Sequence, residues 1–350
     1  MRVKKLRDLM EKEALDYVIL SPGSNTFYLT GFFEEQMERP LFLIISKDDE
    51  FFLAPKLYEE QLEKTKIATI SYEDGENPYS KLTLKTGSSI GVDDQLWSVF
   101  LIQIINNFKP SKIIEASKML RKLRAIKDEQ EISTMKEGIK IAEKSFLQFL
   151  DYVTEGIPEC KLANILEEKF IENGADGYSF KTILTSGPNT SMPHLRCTDR
   201  KINRNEPIIV DFGVKYKNYS TDTTRVVSIG NVSEDVKKVY EIVKEAQISA
   251  ENGEENMTAM KIDSLAREKI TMAGYGKFFI HRTGHGIGID VHEDPYISQD
   301  NLERVTNGMI FTVEPGIYVP GKFGIRIEDM VFMEKRGKPL NSLEKNIFIV

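Results

Sequence analysis

Cysteine and histidine are both scarce in this sequence. The only cysteines among its 350 residues are Cys160 and Cys197, too few for a disulfide framework or a thiolate zinc site. We therefore expect two free thiols. The four histidines all lie between residues 194 and 292, so we expect the chemistry of the chain in its C-terminal two-thirds.

Long apolar runs and excess positive charge are also missing. No stretch approaches the roughly 18 apolar residues of a membrane-spanning helix, and residues 1–20 lack the apolar segment of a signal peptide. The formal net charge of −7 argues against a general nucleic-acid surface. These absences predict an unprocessed cytoplasmic protein with small soluble partners, and neither membrane nor nucleic acid among them.

The length of the chain favours two domains. Apolar runs at 16–21, 41–46 and 67–71 alternate with helical stretches, which predicts a smaller α/β domain over residues 1–124. From residue 125 onward, two helices precede a strand-rich stretch, and a second pair of helices precedes another. The first pair is expected at about 128–152 and 159–173. In the second pair, one helix is capped by Ser233 and carries apolar residues from Val236 to Ala246, and the other is expected near 259–272. This repeat predicts a pseudo-symmetric α+β domain over residues 125–350, whose two sheets face each other.

Two aspartates flank a predicted turn in the second domain. Asp211 follows the apolar run 207–210, and Asp222 comes eleven residues later. If the hairpin closes around Tyr216 and Lys217, the two acids lie opposite each other, with Cβ atoms roughly 4.5–5.5 Å apart. Carboxylates so close ionise fully only beside a cation. A pair of solvated turn acids is the alternative.

Two glutamates repeat this arrangement. Glu314 and Glu328 are fourteen residues apart, with Pro320 and Gly321 midway between them as a loop signal. An even separation about a central turn lets both side chains share one face. The second hairpin therefore adds two candidate ligands to those of the first.

His285 completes a candidate set of five ligands. It lies in the glycine-rich string GHGIG, where small residues allow another segment or a ligand to approach closely; a histidine buried in the core is the alternative. Four carboxylates balance two divalent ions, which predicts a two-metal centre with ions about 3.5–4 Å apart and a bridging water acidic enough to serve as hydroxide. Oxygen-rich ligands favour Mn²⁺ or Co²⁺, with Zn²⁺ or Fe²⁺ as alternatives.

The sequence resembles the proline-specific metallopeptidases of the pita-bread fold, which are the Xaa-Pro dipeptidases (prolidases) and Xaa-Pro aminopeptidases. The resemblance covers nearly the whole chain. It implies a pita-bread catalytic domain preceded by a creatinase-like N-terminal domain. The matching strings are SPGSNTFYLTGF, GVDD, LRAIKDEQEI, PHLRCTDRKI, VDFG, STDTTR, GHGIGIDVHE, VEPGIY and IRIEDMV, in the order of the family.

The resemblance also implies a role for each site residue. The implied metal ligands are Asp211, Asp222, His285, Glu314 and Glu328. His194 and His292 would bind the substrate and assist the transition state, with Glu314 as a third catalytic residue. The rest of the implied substrate-binding wall is His281, Tyr296 and Arg326. Tyr296 follows HEDP, where archaeal-type prolidases often carry an Arg that grips the carboxylate of the dipeptide.

The implied reaction is attack by the bridging hydroxide on the carbonyl carbon of an Xaa-Pro bond. The metal and the histidines would stabilise the oxyanion, and Glu314 would pass a proton to the proline nitrogen. We expect Xaa-Pro dipeptides as substrates, two divalent ions per chain and a homodimer. The alternatives are an Xaa-Pro aminopeptidase that acts on longer peptides and a pita-bread binding protein without activity.

Overall fold

A computed structural model describes residues 2–350 of the chain. The chain forms two structural units, one that ends at Arg124 and one formed by Ala125–Val350. The helices of the first unit are α1 (Arg2–Lys12), α2 (Ser24–Thr30), α3 (Glu59–Glu63), α4 (Ser98–Phe108) and α5 (Ser117–Ala125), which ends at the boundary. Its strands are β1 (Tyr17–Leu20), β2 (Phe42–Ser46), β3 (Glu50–Pro55), β4 (Ala68–Tyr72), β5 (Ser89–Val92) and β6 (Lys112–Glu115). They form one mixed sheet in the order β4-β3-β2-β1-β5-β6, which confirms the predicted α/β pattern.

The second unit repeats a pair of helices followed by strands, as predicted. Its first half has helices α6 (Glu129–Phe149) and α7 (Glu159–Glu172) and strands β7 (Gly177–Tyr178), β8 (Ile183–Ser186), β9 (Ile208–Phe212), β10 (Val214–Tyr216), β11 (Tyr219–Ser220) and β12 (Thr223–Ser228). Its second half has helices α8 (Glu234–Glu251) and α9 (Ala259–Met272) and strands β13 (Gly284–Gly286), β14 (Glu293–Ile297), β15 (Ile310–Val313), β16 (Gly316–Val319), β17 (Phe323–Arg326), β18 (Asp329–Met333), β19 (Gly337–Pro339) and β20 (Phe348–Ile349).

Side chains cap the helices that open each half. Asp128 accepts a hydrogen bond from the backbone N–H of Glu131, and the Glu131 side chain accepts one from the N–H of Asp128, which completes a capping box. In the second half, Ser233 accepts a hydrogen bond from the N–H of Val236 at the start of α8. These caps fix the start of the helices whose apolar faces cover the sheets.

Alternation along β9 divides its side chains between two hydrophobic cores. Val210 and Phe212 pack in the core formed with α6 and α7, whereas Ile209 belongs to the core formed with α8 and α9. Because successive side chains of a strand point to opposite faces, Asp211 shares the face of Ile209. The same alternation places Val226 of β12 in the second core. The two halves therefore meet across one face of this sheet, and Asp211 lies there.

The two cysteines form a disulfide, so the expectation of free thiols was wrong. Cys160 and Cys197 are 37 residues apart, with Cα atoms separated by 5.0 Å. The start of α7 pairs with the loop after residue 196, since the N–H of Cys160 donates to the carbonyl of Thr198. This pairing is a tertiary contact, and the spacing of two cysteines in the sequence does not reveal it.

No helix within residues 2–350 is both long enough and apolar enough to cross a membrane.

Candidate metal centre

The first two acids lie on one hairpin, but they are not directly opposite each other. The turn is at Lys217 and Asn218, which both have positive φ, as the tight turn of a hairpin requires. Asp211 therefore pairs with Thr224, and Asp222 is offset from that partner by two positions. The predicted turn, one residue earlier, was wrong. Asp211 and Asp222 are diagonal neighbours on one face, which keeps both carboxylates within reach of one site.

Glu314 and Glu328 do lie opposite each other, which confirms the predicted register of the second hairpin. The ladder of β15 and β18 ends with Val313 opposite Asp329. The ladder of β16 and β17 continues in the same register, and the two glutamates occupy the break between the ladders. A break in a ladder leaves these side chains free to turn towards a ligand rather than into the core.

Thr224 and Glu328 join the two hairpins. Each donates its backbone N–H to the carbonyl of the other, at 3.4 and 3.2 Å. The hydroxyl of Thr224 also donates to Oε2 of Glu328 at 2.7 Å. These contacts fix one carboxylate of the second half against the strand that follows Asp222 in the first.

His285 is placed by a crowded glycine-rich strand. A Cβ atom on Gly284 would lie 1.8 Å from the carbonyl oxygen of Thr312, and one on Gly286 would lie 2.2 Å from that of Asp294. Only glycine therefore permits this approach of neighbouring strands. Nδ1 of His285 donates to the carbonyl of Gly286 at 3.0 Å, which leaves Nε2 with the lone pair that a metal needs.

The acids and His285 converge at their functional atoms. Nε2 of His285 lies 3.7 Å from Oδ2 of Asp222 and 3.4 Å from Oε1 of Glu314. Asp222, His285 and Glu328 each offer a ligand atom within 4.8 Å of the others, and all three are buried. Asp211 is held differently, because its Oδ2 accepts a hydrogen bond from Arg326 at 2.6 Å.

Burial and mutual repulsion disfavour the ionised forms of Asp222 and Glu328 in the absence of a cation. Burial raises the pKa of Asp222 well above its usual value, and the charge of Glu328 raises it further. Burial likewise raises the pKa of Glu328, as does the charge of Glu314. Burial lowers the pKa of His285 to about 3, so its imidazole is neutral. Acids that repel one another around a neutral imidazole are suited to a divalent cation.

Unsatisfied oxygens provide a direct test of this fit. Within residues 2–350, Oδ1 of Asp211, Oδ1 of Asp222 and Oε1 of Glu328 are buried and have no hydrogen-bond partner. Unpaired buried polar atoms are costly, and native structures rarely keep them without a function. Three such oxygens, on residues that line the same cavity as His285, fit the coordination of divalent metal ions.

A cavity of about 480 Å³ opens above these residues. It brings together the five predicted ligands and four of the predicted substrate-binding residues, namely His194, His281, His292 and Arg326. Tyr296 is not on its wall. The complete lining is Phe180, Lys181, Ile183, Pro193, His194, Arg196, Asp211, Asp222, His281, Arg282, His285, Val291, His292, Glu314, Arg326 and Glu328.

His281 belongs to a chain of hydrogen bonds that the sequence did not reveal. Its Nδ1 lies 2.7 Å from the carbonyl of Arg282, and its Nε2 lies 2.9 Å from the hydroxyl of Tyr318. A carbonyl can only accept, so Nδ1 is the donor and Tyr318 donates to Nε2. Arg326 in turn donates to the hydroxyl of Tyr318 at 2.9 Å. Both ring nitrogens of His281 are therefore engaged, and His281 supports the cavity wall. The ring of His292 instead lies beside that of His285, with 4.3 Å between the ring centroids.

Arg225 supports the strands that carry the candidate ligands, and the sequence analysis did not identify this role. It is fully buried and bonds through Nη2 to Oδ1 of Asp329 at 2.6 Å. It also donates to the backbone carbonyls of Thr224, Glu328, Leu343 and Glu344. The string STDTTR contains this residue, but its role depends on segments more than 100 residues away.

Glu159 and the disulfide anchor the loop that carries His194. Glu159 is fully buried, and its Oε1 accepts hydrogen bonds from the N–H and hydroxyl of Ser186 at 2.7 and 2.8 Å. Its Oε2 accepts from the N–H and hydroxyl of Thr198 at 3.0 and 2.8 Å. Together with Cys197 in the disulfide, these contacts restrain the loop on the C-terminal side of His194.

Two family models match the chain. Residues 133–335 match metallopeptidase family M24, and residues 2–126 match the creatinase/prolidase N-terminal domain. An Xaa-Pro dipeptidase of Pyrococcus horikoshii is 32% identical over 99% of this chain and 98% of its own length.

Solved structures give the same picture over the whole fold. The prolidase from Thermococcus sibiricus is 41% identical, covers 100% of this chain and 98% of its own, and has a TM-score of 0.95. An X-Pro aminopeptidase from Thermotoga maritima is 34% identical, with 98% of this chain and 100% of its own covered and a TM-score of 0.86. Both kinds of proline-specific peptidase therefore resemble this chain.

Proposed function

The chain belongs to metallopeptidase family M24, and we propose that it is a dinuclear-metal Xaa-Pro dipeptidase. The observation that carries this proposal is the buried group of Asp222, His285 and Glu328, with unsatisfied carboxylate oxygens, in a cavity that His194 and His292 also line. A relative named Xaa-Pro dipeptidase that matches along its whole length supports the choice of substrate.

We assign five residues to two divalent ions. The residues that would hold them are Asp211, Asp222, His285, Glu314 and Glu328. The carboxylate-rich set is suited to Mn²⁺ or Co²⁺. Four negative charges from the acids are matched by two divalent cations, which relieves the repulsion that raises the pKa of Asp222.

The residues of the cavity divide the work of hydrolysis. When bound, the metals supply Lewis acidity and a water acidic enough to act as a nucleophile. His194 and His292 donate hydrogen bonds to the carbonyl oxygen as negative charge develops there. The carboxylate of Glu314 takes up a proton and passes it to the proline nitrogen, which has no hydrogen of its own and leaves poorly unless protonated. Arg326 keeps Asp211 in place through its hydrogen bond.

The proposal extends to the organisation of the protein. We assign residues 125–350 to the catalytic pita-bread domain and residues 1–124 to a creatinase-like domain. We further propose a homodimer located in the cytoplasm. The match of residues 2–126 to the creatinase/prolidase N-terminal domain supports the assignment of residues 1–124.

The test is a substrate panel with defined metals. Metal-depleted protein is reloaded with Mn²⁺, Co²⁺ or Zn²⁺ and assayed with Leu-Pro, Leu-Pro-Gly and Leu-Ala. We expect Leu-Pro to give the highest kcat/KM and Leu-Ala to be poorer by at least about tenfold. The Asp222→Asn variant is the control for a contaminating peptidase, since it should lose at least about 100-fold in rate.

An Xaa-Pro aminopeptidase is the second candidate, because Tyr296 follows HEDP at the position where archaeal-type prolidases often carry an arginine. A phenol cannot make the bidentate, charge-assisted contact with a carboxylate that an arginine makes. A kcat/KM for Leu-Pro-Gly equal to or above that for Leu-Pro would establish the aminopeptidase and reject the dipeptidase.

A further inference from the structure

Two of the four cations that line the cavity, Arg326 and Lys181, already have partners. Arg326 donates to Asp211 and Tyr318 and is buried. Lys181 forms an ion pair with Glu167 at 2.9 Å. Neither cation is available to a substrate without breaking an existing contact.

Arg282 is different. It lines the cavity and is exposed, and its guanidinium makes no hydrogen bond or ion pair within residues 2–350. Its carbon Cζ lies 4.2 Å from the centroid of the Tyr296 ring. Stacking on an aromatic face restrains the guanidinium and leaves its N–H edge free.

The stack lies beside the proposed metal centre. Tyr296 is paired with His285 across β13 and β14, so the ring that carries Arg282 is on the strand adjacent to a proposed ligand. Arg282 also lines the same cavity as His292 and the proposed ligands. Arg282 is thus a cation without an ion-pair partner, on the wall of the cavity that contains the proposed metal centre.

We infer that Arg282 binds the terminal carboxylate of the substrate and that Tyr296 positions its guanidinium. This inference rests on the proposed function, and it accounts for selectivity between substrates. In an Xaa-Pro dipeptide the proline ends in a carboxylate, which matches the planar fork of a guanidinium. In a longer peptide a neutral amide takes that place, and the charge-assisted contact is lost. Tyr296 therefore contributes to the recognition of dipeptides by holding an arginine that the sequence places fourteen residues earlier.

Arg196 is the competing cation. It also lines the cavity and is exposed, and it makes no ion pair within the described residues. However, no aromatic ring restrains its side chain there, whereas Arg282 is held by Tyr296. An ordered guanidinium loses less conformational entropy when it binds, which favours Arg282.

The experiment compares Leu-Pro with its C-terminal amide, which removes only the carboxylate charge. Arg282→Ala should lower kcat/KM for Leu-Pro by at least about 30-fold, mainly through KM, and change that for the amide by less than about threefold. Arg282→Lys should retain part of the preference. Tyr296→Ala should lose selectivity, whereas Tyr296→Phe should keep it, since the ring and not the hydroxyl carries the stack.

The possible outcomes are distinct. An equal loss on both substrates in Arg282→Ala, or a selective loss in Arg196→Ala instead, would overturn the assignment while the proposed function stands. A wild-type protein that cleaves Leu-Pro and its amide equally would overturn it as well. A metal-loaded wild-type protein that cleaves neither would reject the proposed function, and this inference with it.

Discussion

Arg326 donates a hydrogen bond of 2.6 Å from Nη2 to Oδ2 of Asp211, and both side chains are buried. The guanidinium is the counter-charge of Asp211 when no metal is bound. If Asp211 binds metal as proposed, the ions give it a second cationic partner. The contribution of this ion pair to the free energy of unfolding should therefore depend on metal occupancy.

Arg326→Met removes the guanidinium but keeps an apolar chain. In metal-depleted protein, loss of one partner of a buried pair should cost about 3–5 kcal/mol of unfolding free energy. The cost should be smaller in metal-loaded protein, because the ions compensate Asp211. Denaturant unfolding with and without Mn²⁺ measures the difference, with Arg326→Lys as the control that retains the charge. An identical loss in both states would show that Arg326 and the metals do not share Asp211.

The metal-free site should destabilise the protein as pH rises. The folded-state pKa of Asp222 is raised by burial and by the charge of Glu328, so its stabilising contribution is present below the unfolded pKa and is lost as pH rises through the folded pKa. Asp222→Asn removes that titration. It should raise the Tm of chelated protein at pH 8 and have little effect at pH 4, measured by calorimetry.

Two controls make this measurement specific. Asp48→Asn alters an exposed carboxylate and should leave the Tm of chelated protein unchanged at both pH values. Mn²⁺ should raise the Tm of the wild type but not that of Asp222→Asn, because the ligand is lost. A lower Tm for chelated Asp222→Asn at pH 8 would contradict the repulsion described for this site.

The disulfide should contribute to stability and to the placement of His194. It closes a segment of 37 residues, for which chain entropy predicts a contribution of about 4 kcal/mol. The double variant Cys160→Ser, Cys197→Ser should lose a stability of this order and show a lower kcat/KM with metal content unchanged. The control is denaturant unfolding in the presence of a reductant. The reductant should lower the free energy of unfolding of the wild type and leave that of the double variant unchanged. Equal stability under oxidising conditions would contradict this role.

His194 and His292 should act on the substrate and not on the metals. We expect His194→Ala and His292→Ala to lower kcat/KM by about 100-fold each while two metals per chain remain. His285→Ala is the contrasting variant and should lose metal. Elemental analysis gives the metal content of the three variants, and kinetics gives their kcat/KM. Loss of metal from His194→Ala or His292→Ala would show that these histidines were wrongly assigned.

Local pattern was sufficient to predict much of the fold. The helix that begins after Ser233 and the opposed pair Glu314 and Glu328 depend on caps, apolar periodicity and turn residues close in sequence, and both are confirmed. The turn between Asp211 and Asp222 was misplaced by one residue. The string KYKN contains more than one possible turn, and Asn218 with positive φ decides between them.

Contacts between distant segments could not be predicted in the same way. Cys160 meets Cys197 only because the start of α7 pairs with a later loop. Arg225 contacts the carbonyl of Glu328, which lies 103 residues away. Arg282 gains its partner Tyr296 through the pairing of β13 and β14. In each case the residue type was visible in the sequence, whereas its partner is set by tertiary structure.

Metal titration of chelated protein tests the central claim most directly. Mn²⁺ is added in steps while hydrolysis of Leu-Pro and the far-UV dichroism are followed in the same sample. The protein should stay folded throughout, because the ligands lie on strands of a large core, and activity should rise from near zero to a plateau at about two ions per chain. Full activity in thoroughly chelated protein, or a plateau at one ion per chain, would contradict the two-metal peptidase proposed for this chain.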